Sequence, residues 1–313
     1  MAPSISIICA THRPDPGFAL LAASLAAQLG DDAAEAQVIV VDGLHSTERR
    51  EVLAAQAAER FALEHVPAKP TAWNGAFRFS TNEYSAAASA RNTGLVHASA
   101  PYVAFVDDRS ELQPGWWRAL CAAARSGQVV TGAVHARWGE TGPLELDPRW
   151  KLGAEGRPVA VGGGNLAAAN SAAPRELLVA VNGFDELCDP AGHEGYQLGT
   201  RLAWTGASVL YDRRMASIRS AERHRHDVVR RLDRLTDAAA YMNTLRGFGV
   251  SRRSFDGPFD SSHLVWDVLF GRRERGSLGN HYRLADLSVE ALPATAEQLP
   301  LSHWFDGRPL GGL

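Results

Sequence analysis

Apolar and polar positions along the chain fall into short blocks of two kinds. Ser4–Ala10 (SISIICA), Gln37–Val41 (QVIVV) and Tyr102–Val106 (YVAFV) are brief, β-branched or aromatic runs with almost no polar interruption. That is the pattern of strands covered on both faces. Between them, Phe18–Leu29, Thr47–Arg60 and Ser85–Ala98 are rich in Ala, Leu or Glu/Arg and predict helices. Leu63–Val66 predicts a further short strand, and Pro67–Tyr84, with its Pro, Asn, Gly and aromatic residues, a loop. Parallel neighbours need a crossover, so this alternation predicts an α/β fold, a mostly parallel sheet with helices on both faces. Downstream, Pro114–Ala124, Arg175–Val181 and Tyr196–Thr205 predict helices, Asn182–Gly183 a turn and Val209–Tyr211 a strand. Arg225–Phe248 keeps helical spacing with many Arg and Asp, and from Ser251 to Leu313 the pattern breaks up. The expected organisation is one α/β domain over residues 1–224 and a C-terminal helical and irregular extension, 225–313, packed on it.

Two of the apolar strands run straight into aspartate: Asp42 follows QVIVV, and Asp107–Asp108 follow YVAFV. Ligands of open α/β sheets sit outside the carboxyl ends of the strands. Asp42, Asp107 and Asp108 are therefore expected on one rim. Adjacent carboxylates at a strand end suit a hard divalent cation, which takes few ligands from protein when substrate phosphates supply the rest. The same dipeptide also serves as an ordinary turn or helix cap.

Of the 313 residues, 45% are hydrophobic and 21% charged, with a net charge of −3, so a globular core can form and no basic excess points to nucleic acid as the main partner. Cys9, Cys121 and Cys188 are widely spaced, without zinc-type or disulfide-type patterning, which fits a reducing, cytoplasmic setting. The N-terminus lacks a basic leader pattern and no apolar run approaches a membrane span. Abundant Ala, Arg and Gly suggest a GC-rich bacterial genome.

Residues 90–117 (ARNTGLVHASAPYVAFVDDRSELQPGWW) resemble the family 2 glycosyltransferases of the GT-A fold. That family carries Arg-Asn on a helix, a hydrophobic strand, an acidic metal motif and then Pro-Gly-Trp; Arg91, Asn92, Asp107, Asp108 and Trp116 stand at those places. Ile7–Arg13 (IICATHR) resembles the first strand and loop, and Asp42 in VIVVDG is similar to the aspartate that hydrogen-bonds the uracil ring. Gly164–Glu186 (GNLAAANSAAPRELLVAVNGFDE) looks like the acceptor-side segment, with Asn182 in place of a common Gly. His193–Leu202 (HEGYQLGTRL) resembles the Glu-Asp-x-x-Leu-x-x-Arg-Leu helix start.

Together these stretches span residues 4–220. They imply a GT-A-type, Rossmann-like sheet and an inverting, hexosyltransferase-type transfer. The sugar would come from a nucleoside diphosphate donor, UDP favoured, with Mn2+ or Mg2+ assistance. The acceptor hydroxyl would belong to a carbohydrate, a lipid-linked sugar or a small molecule. By the resemblance, Thr11, Arg13, Asp42 and Arg91 line the donor pocket, Asp107 binds the ribose and Asp108 the metal. Arg109 stands where many members have a third acid; its guanidinium suits a phosphate or a surface ion pair. The family's usual catalytic Asp is replaced by Gly195, leaving Glu194 as the expected base, with Asp189 and His193 as alternatives. His224 is the candidate late metal ligand, with His226 beside it, and Arg219, Arg223 and Arg225 are candidates for the departing diphosphate. Trp73 is the candidate for stacking on an acceptor sugar. Two other readings compete: a non-catalytic nucleotide-sugar-binding protein, and a nucleotidyltransferase. The second would carry a glycine-rich basic loop where this chain has ATHRPDPG.

Overall fold

The computed structural model describes residues 3–11, 18–58, 60–69, 87–139, 141–152, 156–186, 194–221 and 284–292. Strand β1 (Ile5–Thr11) lies between β2 (Ala36–Asp42) and β4 (Tyr102–Asp107), and β3 (Leu63–Pro67) flanks β2. All four run parallel. Side chains alternate across a strand, and here both sets are apolar. Ile5, Ile7 and Cys9 join Val38, Val40, Ala104 and Val106 in a core covered by helices α1 (Phe18–Leu29) and α4 (Trp116–Arg125). Ile8, Ile39, Val41, Val103 and Phe105 face the opposite core, with α3 (Ala87–His97), α5 (Arg175–Ala180) and α6 (Glu194–Trp204). The uninterrupted apolar runs of β1, β2 and β4 thus have a direct cause: both faces of these strands are covered, whereas edge strand β3 is half-exposed.

Beyond β4 the sheet is mixed. β9 (Asn170–Pro174) runs antiparallel between β4 and β6 (Val129–Trp138), and β10 (Val209–Ala221) pairs parallel with β6. The short strands β5 (Ser110–Leu112), β7 (Leu144–Glu145) and β8 (Val159–Val161) add antiparallel edges. β10 is far longer than the expected Val209–Tyr211. Asp212, Arg213 and Arg214 end the apolar run, yet the chain only bulges there, shifting register against β6 between Asp212 and Ser217. The Asp212 carboxylate secures the bulge by accepting from the Arg214 amide at 3.0 Å and the Arg214 guanidinium at 2.7 Å. Asn170 pins the other side: its amide donates to the carbonyls of Ala133 and Met215, and its oxygen accepts from the Trp116 indole at 2.9 Å. Trp116 is accordingly a core residue.

Helix α2 (Thr47–Ala57) stops short of the expected Arg60 because Ala58 turns left-handed (φ 50°) and its N–H closes on the Ala54 carbonyl. The expected Asn182–Gly183 turn is present, with φ of 61° and 65°. Part of the extension is described. Leu284 is buried against the α5 side of the core, and its N–H donates to Asn182 Oδ1 at 2.7 Å. The predicted helix Arg225–Phe248 and the apolar Leu264–Phe270 lie outside the described residues. Among the described residues no helix is long and apolar enough to cross a membrane.

Candidate active site

Register places the expected aspartates on one rim. Thr11, the last residue of β1, is the partner of Asp42 in β2, and Ala10 is the partner of Asp107 in β4. The Thr11 hydroxyl donates to Asp108 Oδ2 at 2.8 Å, and both residues are buried. Cys9 lies beneath this rim. Burial pushes its thiol well up, and the Asp108 and Asp107 carboxylates add to the effect, so it carries no nucleophile.

Asp42 is fully buried and its carboxylate is engaged by the chain itself. Arg49 Nε donates to Oδ2 at 2.6 Å and Arg49 Nη2 to Oδ1 at 3.0 Å, the Leu44 amide donates to Oδ1 at 2.9 Å, and His65 Nε2 lies 3.1 Å from Oδ2. Burial by itself would raise this carboxyl, but the bonds from His65, Arg49 and Leu44 overcome it and hold the pKa below the usual range. Arg49 reaches Asp42 because Ser46 caps α2, accepting from the Arg49 amide at 3.1 Å. Neither Arg49 nor His65 belongs to a motif, and sequence reasoning missed both. The only signal was an arginine one helical start downstream of a strand-end aspartate.

The second group of functional side chains converges from α3, β4, α6, β10 and the turn between β4 and β5. Arg91, on α3, donates through Nη2 to Asp107 Oδ1 at 3.2 Å and through Nη1 to Glu194 Oε1 at 2.9 Å. Its guanidinium also lies 5.4 Å from the Phe184 ring centroid. Arg91 is 4% exposed, whereas the Asp107 side chain keeps 20% exposure. Arg219, on β10, approaches Asp107 Oδ2 at 3.7 Å from the solvent side. Arg109 sits at the turn between β4 and β5, its carbonyl accepting from the Ser220 amide. Glu194 opens α6, and its Oε2 is buried without a hydrogen-bond partner among the described residues.

Helix α6 is seated by glycines. A Cβ on Gly199 would overlap the Gly163 carbonyl, and one on Gly163 would overlap the Gly199 carbonyl, so helix and 3₁₀ turn (Gly163–Asn165) touch backbone to backbone. A Cβ on Gly195 would lie 2.6 Å from the Ala168 nitrogen and 2.7 Å from the Leu166 oxygen. The glycine that replaces the family's aspartate is therefore imposed by packing. Residues 181–186, upstream of the helix, are fixed by side chains instead. Asn92 Oδ1 accepts from the Phe184 amide at 2.8 Å while its Nδ2 donates to the Phe184 carbonyl at 2.9 Å and to Glu186 Oε1 at 3.0 Å. Lys69 Nζ meets the same Glu186 oxygen at 2.6 Å, and buried Arg201 donates to the carbonyls of Val181 and Gly183.

Asp107 and Asp108 offer adjacent carboxylate oxygens, the donor type a hard divalent cation takes, and such a cation needs only one or two from protein when phosphates bind it too. The pair fits that use, although among the described residues no group of three or more His, Cys, Asp or Glu gathers. Arg13, Trp73, Asp189, His193, Arg223, His224, Arg225 and His226 lie outside the described residues.

The family model described as Glycosyl transferase family 2 matches residues 6–169. Among solved structures, S. aureus TarS 1–349 in complex with UDP-GlcNAc is 18% identical, with a TM-score of 0.51; the match covers 71% of this chain and 60% of that one. TarS 1–349 in complex with UDP is 17% identical at the same TM-score, covering 83% of this chain and 77% of that one. GalNAc-T7 with UDP, GalNAc and Mn2+ is 11% identical, with a TM-score of 0.52, covering 88% of this chain and 55% of that one. At these identities the likeness is one of fold, and this chain spans less than two thirds of the first and third. No curated protein sequence matches the chain.

Proposed function

The chain belongs to glycosyl transferase family 2, and we propose that it moves a sugar from a nucleoside diphosphate donor, UDP favoured, to an acceptor hydroxyl with inversion at the anomeric carbon. The observation that carries this reading is the Arg91 bridge between the strand-end Asp107 and Glu194, whose buried Oε2 has no partner among the described residues. A general base needs one oxygen oriented and one oxygen free. Glu194 Oε1 is held by Arg91, and Oε2, buried and without a hydrogen-bond partner among the described residues, is the oxygen that would take the acceptor proton once the acceptor displaces what covers it.

The donor diphosphate would lie along the rim of Thr11, Asp107 and Asp108. The acceptor oxygen attacks the anomeric carbon from the Glu194 side as the bond to the diphosphate oxygen breaks. The proton passes to Glu194, and the electron pair leaves on the diphosphate. Asp108, with Asp107 and His224, would hold the divalent cation, whose chemistry is to neutralise charge on the leaving diphosphate. Arg219 and Arg109, on the same rim, are suited to the same charge.

The Glu-Gly pair at 194–195, with Arg109 in the place of a third acid, favours the competing reading, a nucleotide-sugar-binding protein without turnover. Calorimetry with UDP, GDP, TDP and CDP, with and without Mn2+, tests the donor site. One nucleotide should bind in a metal-dependent way, and Asp108→Ala should abolish that dependence. UDP release from UDP-glucose, UDP-galactose and UDP-GlcNAc, with water as acceptor, tests the chemistry. Glu194→Gln should lower kcat roughly 10²- to 10⁴-fold and leave nucleotide affinity intact. A protein that binds no nucleotide, or a Glu194→Gln variant that turns over like wild type, would sink the proposal.

A further inference from the structure

Resting on Glu194 as the base, we infer that Arg91 is a positioning residue acting on Glu194 rather than a contact for the donor. The resemblance put Arg91 among the donor-binding residues. Its surroundings point to another task. The side chain is only 5% exposed, and its two terminal nitrogens are committed to two carboxylates on different elements, Asp107 at the end of β4 and Glu194 at the start of α6. A guanidinium presents its donors in a rigid fork, so bonding both acids fixes the angle between them as well as the distance. Phe184 beneath the guanidinium closes one face and holds its plane.

The arrangement divides the Glu194 carboxylate into two unequal oxygens. Oε1 carries the bond from Arg91, and Oε2, buried and without a hydrogen-bond partner among the described residues, is the one that would receive the acceptor proton. A side-chain carboxylate at the first residue of a helix otherwise turns toward the helix's own unpaired amides, where it is stabilised as a cap. Arg91 holds Glu194 away from that cap orientation and toward the strand-end rim. Because Asp107 shares the guanidinium, the base is registered to the donor-side strand, 103 residues away from Arg91 in sequence at the Glu194 end and 16 at the Asp107 end. Gly195 adds to the need for this, since Glu194 is the one acid in the first turn of α6.

The test is a double-mutant cycle on the full chain: wild type, Arg91→Met, Glu194→Gln and the combination, with Arg91→Lys as the charge-keeping variant. UDP release from the preferred UDP-sugar gives kcat and donor KM; calorimetry gives UDP affinity, and thermal melting reports folding. Arg91→Met should lower kcat about 100-fold, the scale of a misplaced catalytic group, with donor KM and UDP affinity within about threefold. Arg91→Lys, which can satisfy one carboxylate but not the fork, should recover part of that loss. In the Glu194→Gln background, Arg91→Met should cost no more than about threefold further, because the two act as one unit.

A raised donor KM with kcat unchanged would overturn the inference and return Arg91 to the donor site. So would losses that multiply in the combined variant. If Arg91→Met fails to fold, the Arg91→Lys and Glu194→Gln pair completes the same cycle. Wild-type turnover in Glu194→Gln would remove the base assignment itself, a failure distinct from either of these.

Discussion

On the parallel side of the sheet, Asp42 is surrounded by groups that donate to it: the Arg49 guanidinium, the Leu44 amide and the His65 ring. Asp108 takes the Thr11 hydroxyl in the same way. On the α6 side, Glu194 is placed by a helix whose seat is made of missing side chains, Gly195 and Gly199 against Leu166–Ala168 and Gly163. Polar partners can re-form after a small shift, because each bond has some latitude in distance and angle. Backbone pressed on backbone has none, because close-packed interiors resist even one added carbon. The first region can adjust while keeping Asp42 charged; the second holds one helix at one height.

Three experiments sharpen or break this contrast. The largest effect is expected from Asp42→Ala, which strands Arg49 and His65 in a buried site. Breaking such a pair by removing one member costs about 3–5 kcal/mol, and the low end applies because Arg49 keeps 16% exposure. Urea unfolding measures it, and a loss under about 1 kcal/mol would mean that the rim does not depend on its polar partners. Gly199→Ala comes next, at about 2–3 kcal/mol of overpacking, with a matching fall in kcat as α6 and Glu194 are displaced. A variant of wild-type stability and turnover would show that the glycine contact has slack.

The smallest effect is the acid dependence of stability. The Asp42 pKa is lowered in the folded chain, so its contribution is complete above the unfolded value of about 3.9 and fades as pH falls through the folded value. Asp147 behaves likewise: burial would raise it, and Arg149 with the Val134 and Arg149 amides brings it down. Wild type should lose stability below about pH 4, and Asp42→Ala should lose less over the same range, with Asp147 and the His97-bonded Glu64 contributing to the remainder. Parallel slopes in the two proteins would contradict the role given to Asp42.

Much of the parallel half was legible in the chain. Strands covered on both faces leave unbroken apolar runs, and the aspartates that end them mark the rim, so Asp42, Asp107 and Asp108 could be placed together from pattern alone. β9 was not legible, because Asn170–Pro174 is a stretch of small residues whose strand character comes from its neighbours β4 and β6. The end of β10 was hidden by its polar bulge. In the candidate site, Glu194 and Arg91 were visible singly through the family resemblance. Their meeting was not, since 103 residues separate them. The run Gly162–Gly164 stands plainly in the sequence, yet glycine carries no mark of what approaches it, and only the fold shows that Gly199 packs against Gly163.

The packing at Gly195 also bears on what substitution can reach. The backbone of Leu166 and Ala168 lies within 2.7 Å of where a side chain at 195 would begin, so an aspartate does not fit there by a single substitution. The 166–168 segment would have to retreat as well, and the two changes must come together. A mutational library on this chain that varies position 195 alone should return glycine, and one that varies 166–168 with it is the way to a second acid on α6.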